Sequence, residues 1–264
     1  LFSHSNDYQK DWIEDMKSFN REDLFKIIDK KEMKKLYGFE SYGLIVKKGG
    51  YLFPKLICKE MTAHQNIKIS CNHHFDGWNK NKSKLDIHFL NQEKKSGFDD
   101  LIIANGSGLT KYVSGLKISK GQLVGLRGEQ PINIDLPINS AGYILPKINN
   151  ITWIGSTHER EFNDADICHK TGQKLIERTN RNFNINLAGS DDMLMEARFR
   201  IGSKDRLPLA GKIEENIYTI GALGSRGFSL GPLLGDYVAS LINNSPSPIS
   251  SGIALAIEPL RFKD

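Results

Sequence analysis

The spacing of apolar positions changes several times along the chain, and each change predicts an element. Between residues 8 and 37, Trp12, Ile13, Met16, Phe19, Leu24, Phe25, Ile27, Ile28, Met33 and Leu36 lie in a polar background at intervals that predict two or three short amphipathic helices. Gly43 to Val46 runs into the turn Gly49-Gly50 and then Tyr51-Leu52-Phe53-Pro54, which feeds a helix through Leu56, Ile57 and Met61. Ile67 to Cys71 alternates like a strand and Leu85 to Leu90 does so again, with the Asn/Lys-rich residues 79–84 read as the hairpin loop between them. Phe98 to Gly108 is a short apolar run closed by a polar glycine turn, the form of a parallel strand ending at a ligand crevice. Lys120–Val124, Gly142–Pro146 and Thr152–Thr157 predict a β-rich region, and residues 164–182 an amphipathic helix carrying Ile167, Leu175 and Ile176. Met195 to Arg200 reads as a strand on which Arg198 and Arg200 share one face by period two. Ser245 to Ser251 reads as a polar loop before a C-terminal tail.

The densest pattern is Ile217 to Leu241, a β-prone run, a glycine turn and a helix. Gly221, Gly224 and Gly227 carry no Cβ, so the backbone can turn sharply there and approach a ligand; Gly227 is where a left-handed backbone or a close approach is expected. From Phe228 onward Leu230, Leu233, Leu234, Tyr237, Val238 and Leu241 recur at helical spacing, and Pro232 is placed in the first turn, where a missing N–H costs nothing. A helix N-terminus offers N–H groups and a positive dipole end to an anion. A strand-to-helix turn with no ligand is the plainer alternative.

Composition narrows the class without deciding it. The 264 residues are 39% hydrophobic and 25% charged, a water-soluble globular balance with room for one large or two ordinary domains. A net charge of +5 permits an anionic partner such as RNA, although a lysine-rich solvated surface has the same balance. Cys58, Cys71 and Cys168 are odd in number and unpaired in spacing, which argues against a disulfide framework or a zinc site and fits a reducing cytoplasm. Adjacent His73 and His74 point different ways, so no metal role is expected. No stretch reaches the roughly 20 apolar residues of a membrane span, and no signal-peptide pattern is present. Opening on Leu1 rather than Met suggests a piece of something longer.

With Gly121-Gln122, Gly142 to Pro146, the Arg200 to Gly211 segment and Gly221 to Phe228 in this order, the chain resembles the D-amino-acid-oxidase-like family of FAD-dependent oxidoreductases. Within it the likeness is to the oxidase domains that act on the tRNA wobble uridine. It rests on Gly49-Gly50-Tyr51-Leu52-Phe53-Pro54, Ala104-Asn105-Gly106, Arg200 with Asp205, Leu207, Pro208 and Gly211, Ala222 to Gly227, and Pro259-Leu260-Arg261-Phe262. The resemblance implies an α/β (α+β) chain: a partial Rossmann-like FAD domain, discontinuous in sequence, with an inserted antiparallel-sheet substrate domain. Residues 1–60 are then helical and substrate-side, 61–115 an FAD-domain segment, 116–204 the substrate domain and 205–264 the C-terminal FAD-domain segment. The departure is that no GxGxxG follows a strand near the N-terminus.

The same resemblance implies site roles. Ala104, Asn105 and Gly106 would lie near the FAD pyrophosphate, the backbone at Phe75 near the adenosine portion, and Leu223, Gly224, Ser225, Arg226, Gly227, Phe228 and Ser229 against the isoalloxazine. Arg200 is the expected catalytic and substrate-binding cation, because a guanidinium fork matches a carboxylate; Ser225 and Arg226 join it on the substrate side. Tyr143 lines the substrate or is a core tyrosine with a satisfied hydroxyl. The implied reaction removes the carboxymethyl group of 5-carboxymethylaminomethyl(-2-thio)uridine in tRNA, with no side-chain base if the amine binds unprotonated. Implied partners are tRNA and a methyltransferase domain in a longer bifunctional parent, with no metal and no membrane. Two rivals stand beside this: an oxidase of glycine, sarcosine or a D-amino acid, and a non-catalytic fragment or RNA-binding remnant.

Overall fold

The structure is a computed structural model and describes residues 13–262 other than 20, 91, 133, 141, 190 and 191. After helical residues 13–18, the first half of the chain forms β1 (Phe25–Ile28), α1 (Lys30–Tyr37), β2 (Gly43–Val46), α2 (Pro54–Met61), β3 (Phe75–Asn81), β4 (Lys84–Phe89), β5 (Gln92–Phe98) and β6 (Leu101–Ile103). A 3-10 turn over Gly106–Lys111 follows, then β7 (Leu116–Arg127), β8 (Ile138–Asn139), β9 (Tyr143–Ile144), β10 (Ile151–Gly155) and α3 (His169–Phe183). The chain finishes with β11 (Leu194–Ser203), β12 (Leu209–Glu214), β13 (Ile217–Gly221), a 3-10 turn over Gly224–Arg226, α4 (Gly227–Ile242) and α5 (Ser251–Ala256). It divides into two compact units: unit 1 takes residues 1–60 and 120–198, unit 2 residues 61–119 and 199–264.

Unit 1 is built on a mixed-length sheet in the order β11-β7-β10-β9-β8, with β10 antiparallel to β7 and to β9. The alternation in β7 puts Val124 and Leu126 inward, where they meet Ile144 and Ile154. Across them α3 lays Leu175, Ile176, Thr179 and Phe183, which fall on one helical face by i, i+1, i+4 and i+8. Asn184 ends α3 in the left-handed conformation, its N–H bonded to the Asn180 carbonyl. The Asn180 side chain donates to the Leu187 carbonyl and accepts from its N–H, which holds the exit loop.

Unit 2 holds a three-stranded meander, β3-β4-β5, and a second sheet in the order β12-β13-β6. Leu85 and Ile87 of the meander share a core with Ile103, Leu109, Val113, Leu209 and Ile217. Phe75, Trp78 and Tyr112 pack around its margin, with ring centroids 5.2–6.3 Å apart. On the other side Leu234, Tyr237 and Val238 of α4 bury Ala210 and Tyr218.

Several sequence expectations change. In the described part of residues 8–37 the pattern gives two helical stretches with β1 between them; residues 8–12 lie outside the described residues. β1 forms because β2 supplies an antiparallel partner, Phe25↔Val46 through Ile28↔Gly43, which no local period reveals. Residues 67–71 form no strand, and Ile67 and Ile69 are 46% and 63% exposed, since alternation produces a strand only where a partner edge and a buried face exist. The hairpin instead joins β3 to β4, so Asn79 to Asn81 pair with Lys84 to Asp86 rather than forming its loop. The helix expected over 164–182 begins at His169. α5 was hidden in the expected loop and tail, although Ser250 caps it by accepting from the Ile253 N–H.

Candidate functional site

The site residues of unit 2 converge because two of its strands run parallel. β6 and β13 pair in register, Leu101↔Ile217, Ile102↔Tyr218 and Ile103↔Thr219, and the buried Thr219 Oγ1 donates to the Ile103 carbonyl at 2.7 Å. Their carboxyl ends therefore leave the sheet side by side, one into Ala104-Asn105-Gly106 and the other into residues 222–229. Crevices at the carboxyl ends of parallel strands are where α/β sheets take ligands. Ala104, Asn105 and Gly106 are exposed, and Gly106 stands at φ +62° with nothing within 4 Å of a would-be Cβ. The Phe75 ring lies 5.9 Å from Tyr112, the residue that ends the 3-10 turn after Gly106, so it belongs to the same unit.

The second turn is left-handed twice, at Ala222 (φ +54°) and Gly224 (φ +57°). Ala222 is buried and held there against its steric preference, whereas Gly224 is exposed with open space over it. Gly227 is different from expectation. Its φ is −54°, ordinary helix, so the left-handed requirement belongs to Gly224 and Ala222. Because α4 begins at Gly227, Pro232 is its sixth residue and lies in the second turn; the Phe228 carbonyl thus loses its intrahelical partner, contrary to the first-turn placement. Arg226 at the N-cap makes no side-chain cap, leaving the first N–H groups of α4 without one. Leu223 is half-buried, while Ser225, Phe228 and Ser229 are exposed, with Ser229 Oγ donating to the Arg226 carbonyl at 3.0 Å. The Arg226 guanidinium donates to the Arg206 carbonyl, so its side chain is aimed at unit 2's own backbone.

Arg200 is half-buried on β11, and two residues farther on Gly202 bridges antiparallel to Leu223, which sets the end of that strand beside the turn. Arg198 on the same strand is exposed and donates to the Ala197 carbonyl. Tyr143 is in unit 1, half-buried on β9 with its ring across Gly155. Residues 104–106 and 223–229, two open left-handed glycine turns beside an uncapped helix N-terminus, suit a group that carries negative charge.

A clamp that sequence reading did not pair holds the loop behind this turn. Arg261 grips Asp205 with two parallel bonds, Nε to Oδ2 at 2.8 Å and Nη2 to Oδ1 at 3.0 Å, and also donates to the carbonyls of Leu207 and Glu258. The partners are 56 positions apart, so no local pattern points from one to the other. Arg261 holds the Asp205 carboxyl well below the usual carboxylate range against the opposing effect of burial, with help from the Ser203 hydroxyl and the Leu207 N–H. A depressed carboxyl stabilises fully above its unfolded value of 3.8 and loses that contribution as pH falls toward the folded value. Asp205→Asn is therefore expected to lower stability at pH 7 by about 1–3 kcal/mol and to lose less additional stability than wild type between pH 5 and pH 3. Urea midpoints at the three pH values check it, and parallel pH curves for the two proteins would contradict it.

Residues 1–241 match the family model described as FAD dependent oxidoreductase. The chain belongs to that family. Oxidases of known structure share its fold: iminodiacetate oxidase from Chelativorans sp. BNC1 has a TM-score of 0.75 at 15% identity, covering 97% of this chain and 74% of that one. Glycine oxidase from Geobacillus kaustophilus has a TM-score of 0.74 at 16% identity, covering 91% of this chain and 68% of that one. In sequence the chain is 28% identical to the tRNA 5-methylaminomethyl-2-thiouridine biosynthesis bifunctional protein MnmC of Campylobacter jejuni, over 82% of this chain and 40% of that protein. The likeness to the protein of that name in Burkholderia mallei is 25%, over 61% and 29%. The chain thus spans about two fifths of the length of the Campylobacter relative. Among the described residues no group of His, Cys, Asp or Glu could hold a metal, and no helix is long and apolar enough to cross a membrane.

Proposed function

We propose that this oxidoreductase removes the carboxymethyl group of 5-carboxymethylaminomethyl(-2-thio)uridine at the tRNA wobble position, leaving the 5-aminomethyl product. What supports the reading is the edge formed by β6 and β13, with its two open turns, in a chain whose relatives are named for tRNA thiouridine biosynthesis. Residues 104–106 and 223–229 would hold FAD, with the first N–H groups of α4 stabilising negative charge on the ring. FAD held there would supply the two-electron acceptor for oxidising the glycyl C–N bond, with glyoxylate and the 5-aminomethyl nucleoside as the hydrolysed products. Arg200 binds and orients the substrate carboxylate, and Ser225 and Arg226 flank it. Unit 2 is taken as the FAD side, and a methyltransferase acting on the aminomethyl product as the second activity of a bifunctional parent, in the cytoplasm.

A second reading is favoured by the fold neighbours, whose names include glycine oxidase and iminodiacetate oxidase. Here the carboxylate partner of Arg200 belongs to a free amino acid and no RNA is needed. One experiment separates the two. Flavin-loaded protein is offered RNA containing 5-carboxymethylaminomethyluridine, or glycine, sarcosine or iminodiacetate, and glyoxylate is measured. Glyoxylate from the RNA, with nucleoside mass analysis showing the aminomethyl product, is expected. Faster turnover of a free amine than of the RNA would overturn the tRNA reading.

A further inference from the structure

Unit 1 carries a charged and aromatic surface that the oxidation chemistry leaves unused. Residues 26–59 hold nine lysines against three acidic residues, so this stretch alone exceeds the whole chain's net charge of +5. The three acids are already engaged: Asp29 caps α1 by accepting from the Glu32 N–H, Glu32 pairs with Lys26 at 2.6 Å, and Glu40 pairs with Lys34 at 2.6 Å. Toward the end of the stretch Tyr51 and Phe53 are 45% and 49% exposed and meet edge to face at 5.9 Å between centroids. Lys47 and Lys48 precede them, and Lys55 and Lys59 follow at i, i+4 on one face of α2, a helix with no buried residue.

We infer that Lys47, Lys48, Tyr51, Phe53, Lys55 and Lys59 form a binding surface for single-stranded RNA, namely the anticodon loop of the substrate. Charge selects the partner: a concentration of lysines repels a basic protein face and attracts phosphates, while paired exposed rings offer unstacked bases a platform. An enzyme acting on one base of a loop must hold its neighbours splayed apart, and aromatic stacking does this without reading sequence. The inference rests on the tRNA reading above and names the surface that reading requires.

The test is a filter-binding titration of the full chain with an unmodified anticodon stem-loop transcript between 50 and 200 mM salt. Lys47→Gln/Lys48→Gln/Lys55→Gln/Lys59→Gln is expected to weaken binding at least tenfold and to reduce the slope of log affinity against log salt by up to about 3. Tyr51→Ala/Phe53→Ala is expected to weaken binding at least fivefold with the slope unchanged, since stacking releases no counterions. The matched set Lys68→Gln/Lys82→Gln/Lys111→Gln/Lys117→Gln, all exposed in unit 2, removes the same charge and is expected to change affinity less than threefold. Circular dichroism confirms that each variant is folded, and a set that unfolds is replaced by its single substitutions. Equal losses from the two lysine sets would overturn the surface and leave only general charge attraction. Unchanged RNA affinity in the aromatic variant, with an altered sedimentation coefficient, would overturn it in favour of a protein contact. If wild type binds no RNA, the tRNA reading itself fails; if wild type binds and every variant matches it, only the surface fails.

Discussion

Gly224→Val is expected to give folded protein that binds FAD at least tenfold more weakly than wild type. The residue stands at φ +57°, where a β-branched side chain is an outlier costing about 1–3 kcal/mol, so some loss of stability comes with it. The stronger effect is on the ligand. Nothing in the protein lies within 4 Å of a Cβ at this position, so the added methyls would project into the open space above the turn rather than into the fold. Gly227→Ala is the comparison for stability alone, because at φ −54° alanine suits a helix and is expected to leave stability equal or better by up to about 1 kcal/mol. Fluorescence titration with FAD, alongside urea midpoints, measures the two effects separately. Wild-type FAD affinity in folded Gly224→Val would remove this turn from the cofactor site.

Arg200→Lys is expected to lower kcat/KM for the carboxymethylaminomethyl substrate tenfold or more, about 1.4 kcal/mol of transition-state stabilisation. An ammonium replaces the charge but not the planar fork that fixes a carboxylate through two parallel bonds. Arg198→Lys is the internal control, since its side chain is exposed two positions earlier on the same strand, and it is expected to stay within twofold. If Arg200 only supports the strand, the two variants will behave alike and the substrate dependence will not change. Comparing the carboxylate substrate with its methyl ester sharpens the result: the wild type should discriminate strongly between them and Arg200→Lys much less.

Local pattern located α3, β13 and α4, each of which buries one face, though not every boundary. β13 and α4 follow from Ile217 to Ile220 and from the spacing of Leu230, Leu234, Tyr237 and Val238, because burial against Ala210 and Tyr218 enforces the same period that the residues display. It failed where the partner was distant. Ile67 and Ile69 alternate as well as Leu85 and Ile87 do, yet only the latter find a buried face. Phe25 to Ile28 fit a helical spacing as well as a strand, because a four-residue strand contains too few positions to distinguish a period of two from one of 3.6.

By itself the sequence determined the chemistry available at the site: a glycine-rich turn ahead of an apolar helix, a second glycine turn after Ile103, an arginine on a strand, and no dinucleotide fingerprint near the N-terminus. These are properties of residue type and spacing, and they survive any packing. The tertiary structure decided which backbone positions bear the unusual conformations and what stands beside them. Parallel pairing of β6 with β13 places turns more than 100 positions apart at one sheet edge, a neighbourhood that local patterns suggest but cannot establish. It also put the left-handed requirement on Ala222 and Gly224, since the path from a buried strand into α4 is set by the bridge to Gly202 and the core beneath Ala222. Asp205 and Arg261 became a pair only when the C-terminal tail returned to the loop after β11. Side chains far apart in sequence acquire partners through packing, and no spacing rule encodes that.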